Sequence, residues 1–247
     1  MKRSRIACSC VVVAALLLGA CNSAKAQGIT QQQAEEMLKE LRAIRQALER
    51  VTPPPSAAAA KDPRVRLENV GTHVLGRPDA PLTLVEFTDL QCPYCNRFAT
   101  TAFEQIRTAY IDTGKVRFVT RDFPLDFHSS AMPAARAARC AGEQGRFWEM
   151  RTALMAGFNR LSDAFITAAA QNLKLDMPAF TACASSPRFD ADIQKDMNDA
   201  RAVNVEGTPS FVLGRTAAQG LDGVLIVGAQ PFAAFDAKIK ELLAQPR

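Results

Sequence analysis

The chain has 247 residues, of which 48% are hydrophobic, so it is long enough to bury a sizeable core. It carries 30 Lys and Arg against 25 Asp and Glu, a formal net charge of +5, with no basic run and no aromatic residues interleaved with basic ones. This pattern argues against nucleic-acid binding, and we expect no nucleic-acid partner.

The first segment has the pattern of an export signal. A positively charged stretch, 1–5, precedes an apolar stretch, 6–18, that is too short to span a bilayer comfortably. It ends in Leu-Gly-Ala-Cys, which resembles the lipobox of a bacterial lipoprotein and implies a signal peptide over 1–20 and lipidation of Cys21. The alternative is an ordinary secretory signal cut near one of the next alanines. Either signal exports the protein, and we expect it in the bacterial cell envelope, facing the periplasm and held to the membrane by a lipid anchor.

A helix with an apolar stripe is predicted next. Residues 21–29 are interpreted as a polar tether, and 30–51 contain neither Gly nor Pro. Apolar residues recur there in alternating steps of three and four, the spacing of a coiled coil: Ala34, Met37, Leu41, Ile44, Leu48 and Val51. We expect this amphipathic helix either to form a homo-oligomer or, alternatively, to pack on its own domain or hold that domain off the membrane. The prolines and alanines of 52–63 predict a semi-rigid linker.

The remaining residues, 64–247, are predicted to form one domain of the α/β class. The predicted elements are, in order, an edge strand near 65–70, a turn region at 71–81, a strand at 81–90, a helix at 96–110, a strand at 116–123, a helical block at about 128–204, strands at 210–213 and 224–227, and a helix at 231–243. This order is a βαβ unit, a helical block and a ββα unit.

Two cysteines lie where the first buried strand ends and the next helix begins. Cys92 and Cys95 are separated only by Pro93 and Tyr94. At a helix N-terminus, unpaired N–H groups and the helix dipole favour a thiolate, so the pair is predicted to form a redox-active disulfide. A zinc site would need further Cys or His ligands close by, and haem attachment would need His where Asn96 stands. An inert disulfide across so short a loop would be unusual. We expect no metal and no cofactor.

Four segments resemble those of a known family. They are Val-Glu-Phe-Thr-Asp-Leu-Gln-Cys-Pro-Tyr-Cys at 85–95, Arg-Asp-Phe-Pro-Leu at 121–125, Gly-Arg-Phe-Trp-Glu-Met at 145–150 and Val-Glu-Gly-Thr-Pro-Ser-Phe-Val-Leu-Gly at 205–214. With the order of elements, they resemble the DsbA-like thiol–disulfide oxidoreductases of the thioredoxin superfamily over about 70–243. The first and last segments together are highly specific. The resemblance implies a thioredoxin fold with a DsbA-type helical insertion.

The resemblance also implies roles for individual residues. Cys92 corresponds to the exposed nucleophile of the family, and Cys95 corresponds to its buried resolving thiol. Pro209 corresponds to the cis-proline that faces the CxxC, and Thr208 offers backbone hydrogen bonds to an extended substrate. Glu86 corresponds to the buried acid of the fold. Burial raises the pKa of a carboxyl group, which would suit Glu86 to exchange a proton with Cys95. The alternative for Glu86 is a strand residue that faces solvent.

Two further cysteines, Cys140 and Cys183, lie in Ala-rich stretches of the helical block. Many DsbA-like proteins carry a second, non-catalytic disulfide in this block, so the resemblance implies a structural disulfide between them. Two free buried thiols are the alternative.

Other conspicuous side chains of this region are expected to be structural. The arginines between 136 and 160 are interpreted as a solvated helix face, and His128 as a local structural partner. Four aromatic residues are assigned to the core: Phe123, Phe127, Phe147 and Trp148.

The predicted function is disulfide exchange with exported client proteins, through a mixed disulfide at Cys92 that Cys95 resolves. Pro93, Tyr94 and Thr208 are expected to contact substrate. They differ from the Pro-His pair and the Val of the strongest oxidases and look closer to the isomerase and suppressor-of-copper-sensitivity branches. Both directions, oxidase and isomerase or reductase, stay open here, and a membrane redox partner is expected. The alternative is a non-catalytic lipoprotein that binds extended peptides or Cu(I) through its two thiols.

Overall fold

The structure, a computed structural model, describes residues 29–51 and 63–245. The chain divides into two units, Met1–Ala59 and Ala60–Arg247. In the first unit, α1 spans Gln31–Val51. The predicted signal peptide, its lipidation site at Cys21, and all but the last residue of both the tether and the linker lie outside the described residues.

The second unit contains, between 63 and 245, a sheet with helices on both faces. Its elements are β1 Arg64–Leu67, β2 His73–Leu75, β3 Leu82–Thr88, α2 Pro93–Thr100, α3 Ala102–Ile106, a π-helical turn Arg107–Ile111, β4 Val116–Asp122, α4 Ala131–Glu143, α5 Phe147–Ala156, a 3-10 turn Phe158–Arg160, α6 Asp163–Asn172, α7 Met177–Ala184, α8 Asp190–Ala202, β5 Ser210–Arg215, β6 Leu221–Val227 and α9 Phe232–Ala244. The insertion therefore comprises α4 to α8, between β4 and β5.

The sheet has the strand order β1-β6-β5-β3-β4-β2 across the described residues. β3 runs parallel to β4 and antiparallel to β5, and it is flanked by both. All seven residues of β3 are buried, which accounts for its almost unbroken apolar run in the sequence. The predicted fold class, a thioredoxin fold with a helical insertion, is confirmed by this architecture.

Three apolar clusters hold the domain together. One contains Phe98 and Phe235 and packs α2, α3 and α9 against the sheet. The second contains Ile193 and packs α8 against the sheet. The third fills the insertion and includes Cys92 and Cys95. The CxxC therefore lies where the helical insertion packs against the start of α2.

A buried ionic network ties α4 and α8 to β4. Arg139 lies 2.6 Å from both Asp122 and Asp196, and Arg121 lies 2.6 Å from both Asp196 and Asp199. The expectation of a solvated arginine face is wrong for Arg139, which is buried. Aspartates of two other elements provide the opposite charge that a buried guanidinium requires.

The stretch 71–81, expected to be a turn region, contains the short strand β2. His73 of β2 pairs with Thr120 of β4 in antiparallel register. Gly71 and Gly76 have positive φ angles on either side of it. Three residues between two such glycines are too few to show the alternating pattern by which a strand is recognised in a sequence.

Phe127 was assigned to the core, and that assignment is wrong because its side chain is 77% exposed. It lies in the irregular segment between β4 and α4, where no periodicity indicates which way a side chain points. Of the other three aromatic residues, Phe123 and Phe147 are buried and Trp148 is partly buried.

Candidate active site

The chain reaches the CxxC through a tight turn after β3. The Cys92 N–H donates to the Asp89 carbonyl at 3.1 Å. Cys92 is the N-cap of α2 with extended backbone angles, and Pro93 occupies the first helical turn, where no hydrogen-bonded N–H is required. Both thiols of the pair are reduced in this structure.

The side chain of Cys92 lies beneath the loop that precedes β5. Its Sγ donates to the Thr208 carbonyl at 3.5 Å, and the residue is only 3% exposed. The expectation of an exposed nucleophile is therefore wrong for the reduced, unliganded site. The loop at Thr208 therefore lies directly against the sulfur.

The pKa of Cys92 is lowered to about 6. A hydrogen bond from the Cys95 side chain is the largest cause, and the Thr208 side chain and the backbone N–H groups of Cys95 and Tyr94 add to it against the opposing effect of burial. Thr208 Oγ1 is buried without a hydrogen-bond partner in this dithiol structure, so it is available to a thiolate. The lowered pKa favours the thiolate of Cys92 at neutral pH.

Cys95 has the opposite electrostatic character. It is fully buried, and burial raises its pKa well above the ordinary value. The hydrogen bond with Cys92 and the negative charge of Glu86 raise it further. The pair thus combines one thiolate with one protonated thiol, the arrangement that thiol–disulfide exchange requires.

Glu86 is fully buried in β3, which rules out the alternative of a solvent-facing position. Burial raises the pKa of its carboxyl, and the positive charge of Arg151 opposes that rise. Arg151 Nη2 lies 2.5 Å from Glu86 Oε2, and Thr120 Oγ1 donates to the same oxygen at 3.3 Å. Glu86 Oε1 has no hydrogen-bond partner among the described residues and is the oxygen free to take a proton.

Arg151 was expected on a solvated face, and that expectation is wrong. It comes from α5 of the insertion and is buried, with its guanidinium carbon 5.7 Å from the ring centre of Phe103 and 5.8 Å from those of Phe118 and Trp148. Such aromatic faces attract a cation. The sequence contains only an indirect indication of this role: a buried acid such as Glu86 in an apolar strand requires a positively charged partner from another part of the chain.

Thr208 and Pro209 precede β5 directly, opposite the CxxC. The peptide bond between them is cis. Gly228 N–H donates to the Pro209 carbonyl at 2.8 Å, and Ser210 Oγ donates to the Gly207 carbonyl at 2.7 Å, so the loop is fixed from both sides. The resemblance had placed both residues beside the thiols, and the contact from Cys92 brings Thr208 there.

Asp89 is a residue that sequence reasoning missed. It is buried, and its carboxylate accepts hydrogen bonds from the N–H groups of Gln91 at 2.7 Å and Leu125 at 2.9 Å. His128 Nδ1 lies 2.7 Å from the same carboxylate. Asp89 therefore ties the turn before Cys92 to the segment after β4, and His128 is a local structural partner, as expected.

Pro93 and Tyr94 are exposed at the rim of the site. The Tyr94 ring lies 5.0 Å from the guanidinium carbon of Arg97. For a soft metal, the thiols of Cys92 and Cys95 are the donors at this site. Within the described residues, no group of three or more His, Cys, Asp or Glu side chains is arranged to hold a metal ion.

This fold and this pair of thiols define the class: a DsbA-like protein of the thioredoxin superfamily. The chain belongs to the thioredoxin family, because residues 68–223 match the family model described as Thioredoxin.

Solved structures show the same fold. Wolbachia pipientis alpha-DsbA1 is 23% identical with a TM-score of 0.62, over 78% of this chain and 94% of that chain. The catalytic domain of Proteus mirabilis ScsC is 24% identical with a TM-score of 0.58, over 72% and 92% of the two chains. A thioredoxin-like oxidoreductase from Silicibacter pomeroyi DSS-3 is 26% identical with a TM-score of 0.55, over 70% and 92%.

Curated relatives match part of their own length. The chain is 36% identical over 164 residues to the Na(+)/H(+) antiporter NhaA 3 of Salinispora tropica, which is 66% of this chain and 24% of that protein. It is 39% identical over 147 residues to NhaA 1 of Mycolicibacterium gilvum, 58% of this chain and 23% of that protein. The chain therefore spans about a quarter of these relatives, and their transport activity is not carried over to it. In the described part of this chain, helices are too short or too polar to cross a membrane.

We predict that Cys95→Ala raises the pKa of Cys92 from about 6 toward 9, because the largest stabilising hydrogen bond on the thiolate is lost. The expected shift is at least about one unit, equivalent to about 1.4 kcal/mol. The measurement is the ultraviolet absorbance of the thiolate as a function of pH. Cys92→Ser is the control and removes the transition, and an unchanged midpoint in Cys95→Ala would contradict the assignment.

We predict that Arg151→Met lowers the free energy of unfolding by about 3–5 kcal/mol, because it leaves Glu86 buried without its counter-ion. The double variant Glu86→Gln/Arg151→Met is expected to recover much of this loss, since no unpaired charge remains. Chemical denaturation at neutral pH measures all four proteins of the cycle. Additive effects of the two substitutions would show that the ion pair does not couple these residues.

Proposed function

We propose that this protein is an envelope thiol–disulfide oxidoreductase that exchanges disulfides with client proteins through Cys92 and Cys95. The observation that carries the proposal is the geometry of the pair: Cys92 is the N-cap of α2 and contacts the Thr208 carbonyl, and Cys95 is fully buried. The pKa of Cys92 is accordingly lowered and that of Cys95 raised. A structural disulfide does not require its two cysteines to differ in pKa. An exchanging pair does, because one thiol must attack as a thiolate while the other stays protonated until it resolves the mixed disulfide.

The reaction begins when the Cys92 thiolate attacks one sulfur of a client disulfide. The client S–S bond breaks, a Cys92–client bond forms, and the second client sulfur leaves as a thiolate that takes a proton. Cys95 then gives up its proton and attacks Cys92 Sγ, which releases the client thiolate and forms the Cys92–Cys95 disulfide. The client has gained two electrons and the protein has lost them. The reverse sequence oxidises a client dithiol.

Glu86 supports the second half of this cycle. Cys95 holds its proton tightly because it is buried beside negative charge, so an acceptor is needed before it can attack. Glu86 has a raised pKa and one carboxylate oxygen without a partner, and burial leaves little competition from water. Arg151 keeps this carboxylate charged often enough to accept the proton.

We favour the isomerase or reductase direction over strong oxidation, because Pro93, Tyr94 and Thr208 differ from the Pro-His pair and the Val of the strongest oxidases. A highly stabilised thiolate favours the reduced form and makes the protein a strong oxidant. The pKa of the nucleophilic cysteine is about 3.5 in DsbA, a strong oxidant, and about 7 in thioredoxin, a reductant. Equilibration with glutathione distinguishes them, since oxidants stand near about −120 mV and reductants near about −270 mV.

The location that we propose is the periplasmic side of the bacterial envelope, with a lipid on Cys21 as the anchor. The signal-like sequence before Cys21 supports export. A disulfide between Cys140 and Cys183, which links α4 to α7, also supports an oxidising compartment. Clients are then exported proteins with thiols or disulfides, and a membrane redox partner returns the pair to its working state.

We predict that Cys92→Ser abolishes insulin reduction and refolding of scrambled ribonuclease, because no nucleophile remains. Cys95→Ala is expected to accumulate mixed disulfides with clients, visible on non-reducing gels, because the resolving thiol is missing. The matched control is the double variant Cys140→Ala/Cys183→Ala, which keeps the active pair. Full activity in Cys92→Ser would contradict the role of Cys92, and a wild type without either activity that still binds peptides or Cu(I) would favour the non-catalytic alternative.

Self-association through α1 is part of the proposal. Met37, Leu41 and Ile44 are at least half exposed along one stripe of this helix, an unusual amount of apolar surface to leave in water. Two or more catalytic domains on one coiled coil could act on the same misfolded client.

We predict that Leu41→Glu lowers the molar mass of the exported chain to that of a monomer, because a charge at a core position disrupts a coiled coil. Gln46→Glu adds the same charge away from the stripe and is the matched control. Light scattering coupled to size exclusion gives the mass. A monomeric wild type, or an oligomer unaffected by Leu41→Glu, would contradict this role of α1.

A further inference from the structure

Within 63–245, three large apolar side chains are strongly exposed: Tyr94, Phe127 and Val227. Each belongs to, or directly adjoins, a segment that forms the active site. Tyr94 is part of the CxxC, and Val227 pairs with Ser210, the residue after Pro209. Phe127 precedes His128, which contacts the carboxylate of Asp89 in the turn before Cys92. The exposed apolar surface of this domain is therefore concentrated around the thiols.

A cleft of about 390 Å³ opens beside Phe127. Phe123, Leu125 and Phe127 form one wall, and Arg201, Val205 and Glu206 form the other. Its volume is within the range of about 300–1,000 Å³ that accommodates small ligands, so an aromatic or large aliphatic side chain fits inside it.

Both walls of the cleft are continuous with the active site. Val205 and Glu206 lead directly into Gly207 and Thr208, the residue whose carbonyl covers Cys92. The opposite wall is held by the hydrogen bond from the Leu125 N–H to Asp89. The cleft is therefore the next surface that a chain meets when it extends from Cys92 past Thr208 toward α8.

The cleft has an apolar floor and a charged rim. Phe123 and Val205 are buried at its base, and the guanidinium carbon of Arg201 lies 5.5 Å from the ring centre of Phe123. Asp126 and Glu206 are exposed at the edge. An apolar side chain with its polar backbone outside matches this arrangement, because the side chain leaves water while the backbone stays near charged groups.

We propose that this cleft, defined by Phe123, Leu125, Phe127, Arg201, Val205 and Glu206, binds an apolar side chain of the client segment next to the reacting cysteine. The inference rests on the proposed function, since it supplies the substrate class of the same site. The Thr208 loop lies against Cys92, so a client segment that approaches along this loop places the residues on one side of its cysteine over the cleft. The cleft thus favours clients with an apolar residue on that side of the reacting cysteine.

The test compares three kinds of disulfide substrate, each reacted with the full-length reduced protein. One is a short peptide closed by a disulfide with Leu beside one cysteine, placed on either side in two versions. The second is the matched peptide with Ser in that place, and the third is cystine, which has no flanking chain. Second-order rate constants for oxidation of the protein are measured for wild type, Phe127→Ser and Phe127→Leu.

The wild type is expected to prefer one Leu peptide over its Ser match by about tenfold, the effect of burying most of a Leu side chain. Phe127→Ser is expected to remove most of this preference and to leave the rates with the Ser peptide and cystine within twofold of wild type. Phe127→Leu is expected to restore it. Phe127 is exposed, so these substitutions leave the core intact.

Two results would overturn the inference alone: no preference for either Leu peptide in wild type, or equal effects of Phe127→Ser on all substrates. A wild type that reacts with none of the three substrates would instead overturn the proposed function, and the inference with it. The two failures are therefore distinguishable.

Discussion

The buried charge of Glu86 is the constraint around which this domain is arranged. A carboxylate inside the central strand is strongly disfavoured unless a cation reaches it, and the surrounding strands offer Thr120 as a hydrogen-bond donor but no cation to Glu86. Arg151 reaches it from α5, so the helical insertion must pack over the sheet for the core to be electrically balanced. Cys95 packs in the apolar cluster that fills this insertion. One ion pair therefore joins the insertion to the central strand of the sheet.

A second consequence concerns how the insertion is held. Besides that ion pair, Arg139 of α4 and Asp196 of α8 join β4 through charged contacts, and a disulfide joins α4 to α7. Buried ionic contacts tolerate little displacement, because separation leaves each charge unpaired in an apolar medium. The insertion is thus positioned by directional interactions as well as by apolar packing, which suits a domain that must keep two thiols in register with a loop from β5.

How much the sequence predicts depends on whether the relevant residues are close along the chain. Strand, turn, CxxC and helix N-terminus are contiguous, so the position of Cys92 and the fold class were predictable from local pattern and resemblance. Arg151 and Asp89 were not, because their roles exist only once distant elements meet, and an arginine on a helix gives the same periodic pattern whether it faces water or a buried acid. Phe127 lies in an irregular segment, where no helical or strand periodicity indicates whether a side chain is buried.

The covering of Cys92 by Thr208 has a consequence for chemical damage. Thiolates are the form that peroxide oxidises to sulfenic and then irreversibly to sulfinic acid, and susceptibility rises with both ionisation and exposure. In this site, ionisation and exposure are separated: the lowered pKa of Cys92 favours its thiolate, but the residue is only 3% exposed. A sulfur covered in this way is less accessible to peroxide than an equally acidic but open thiol would be.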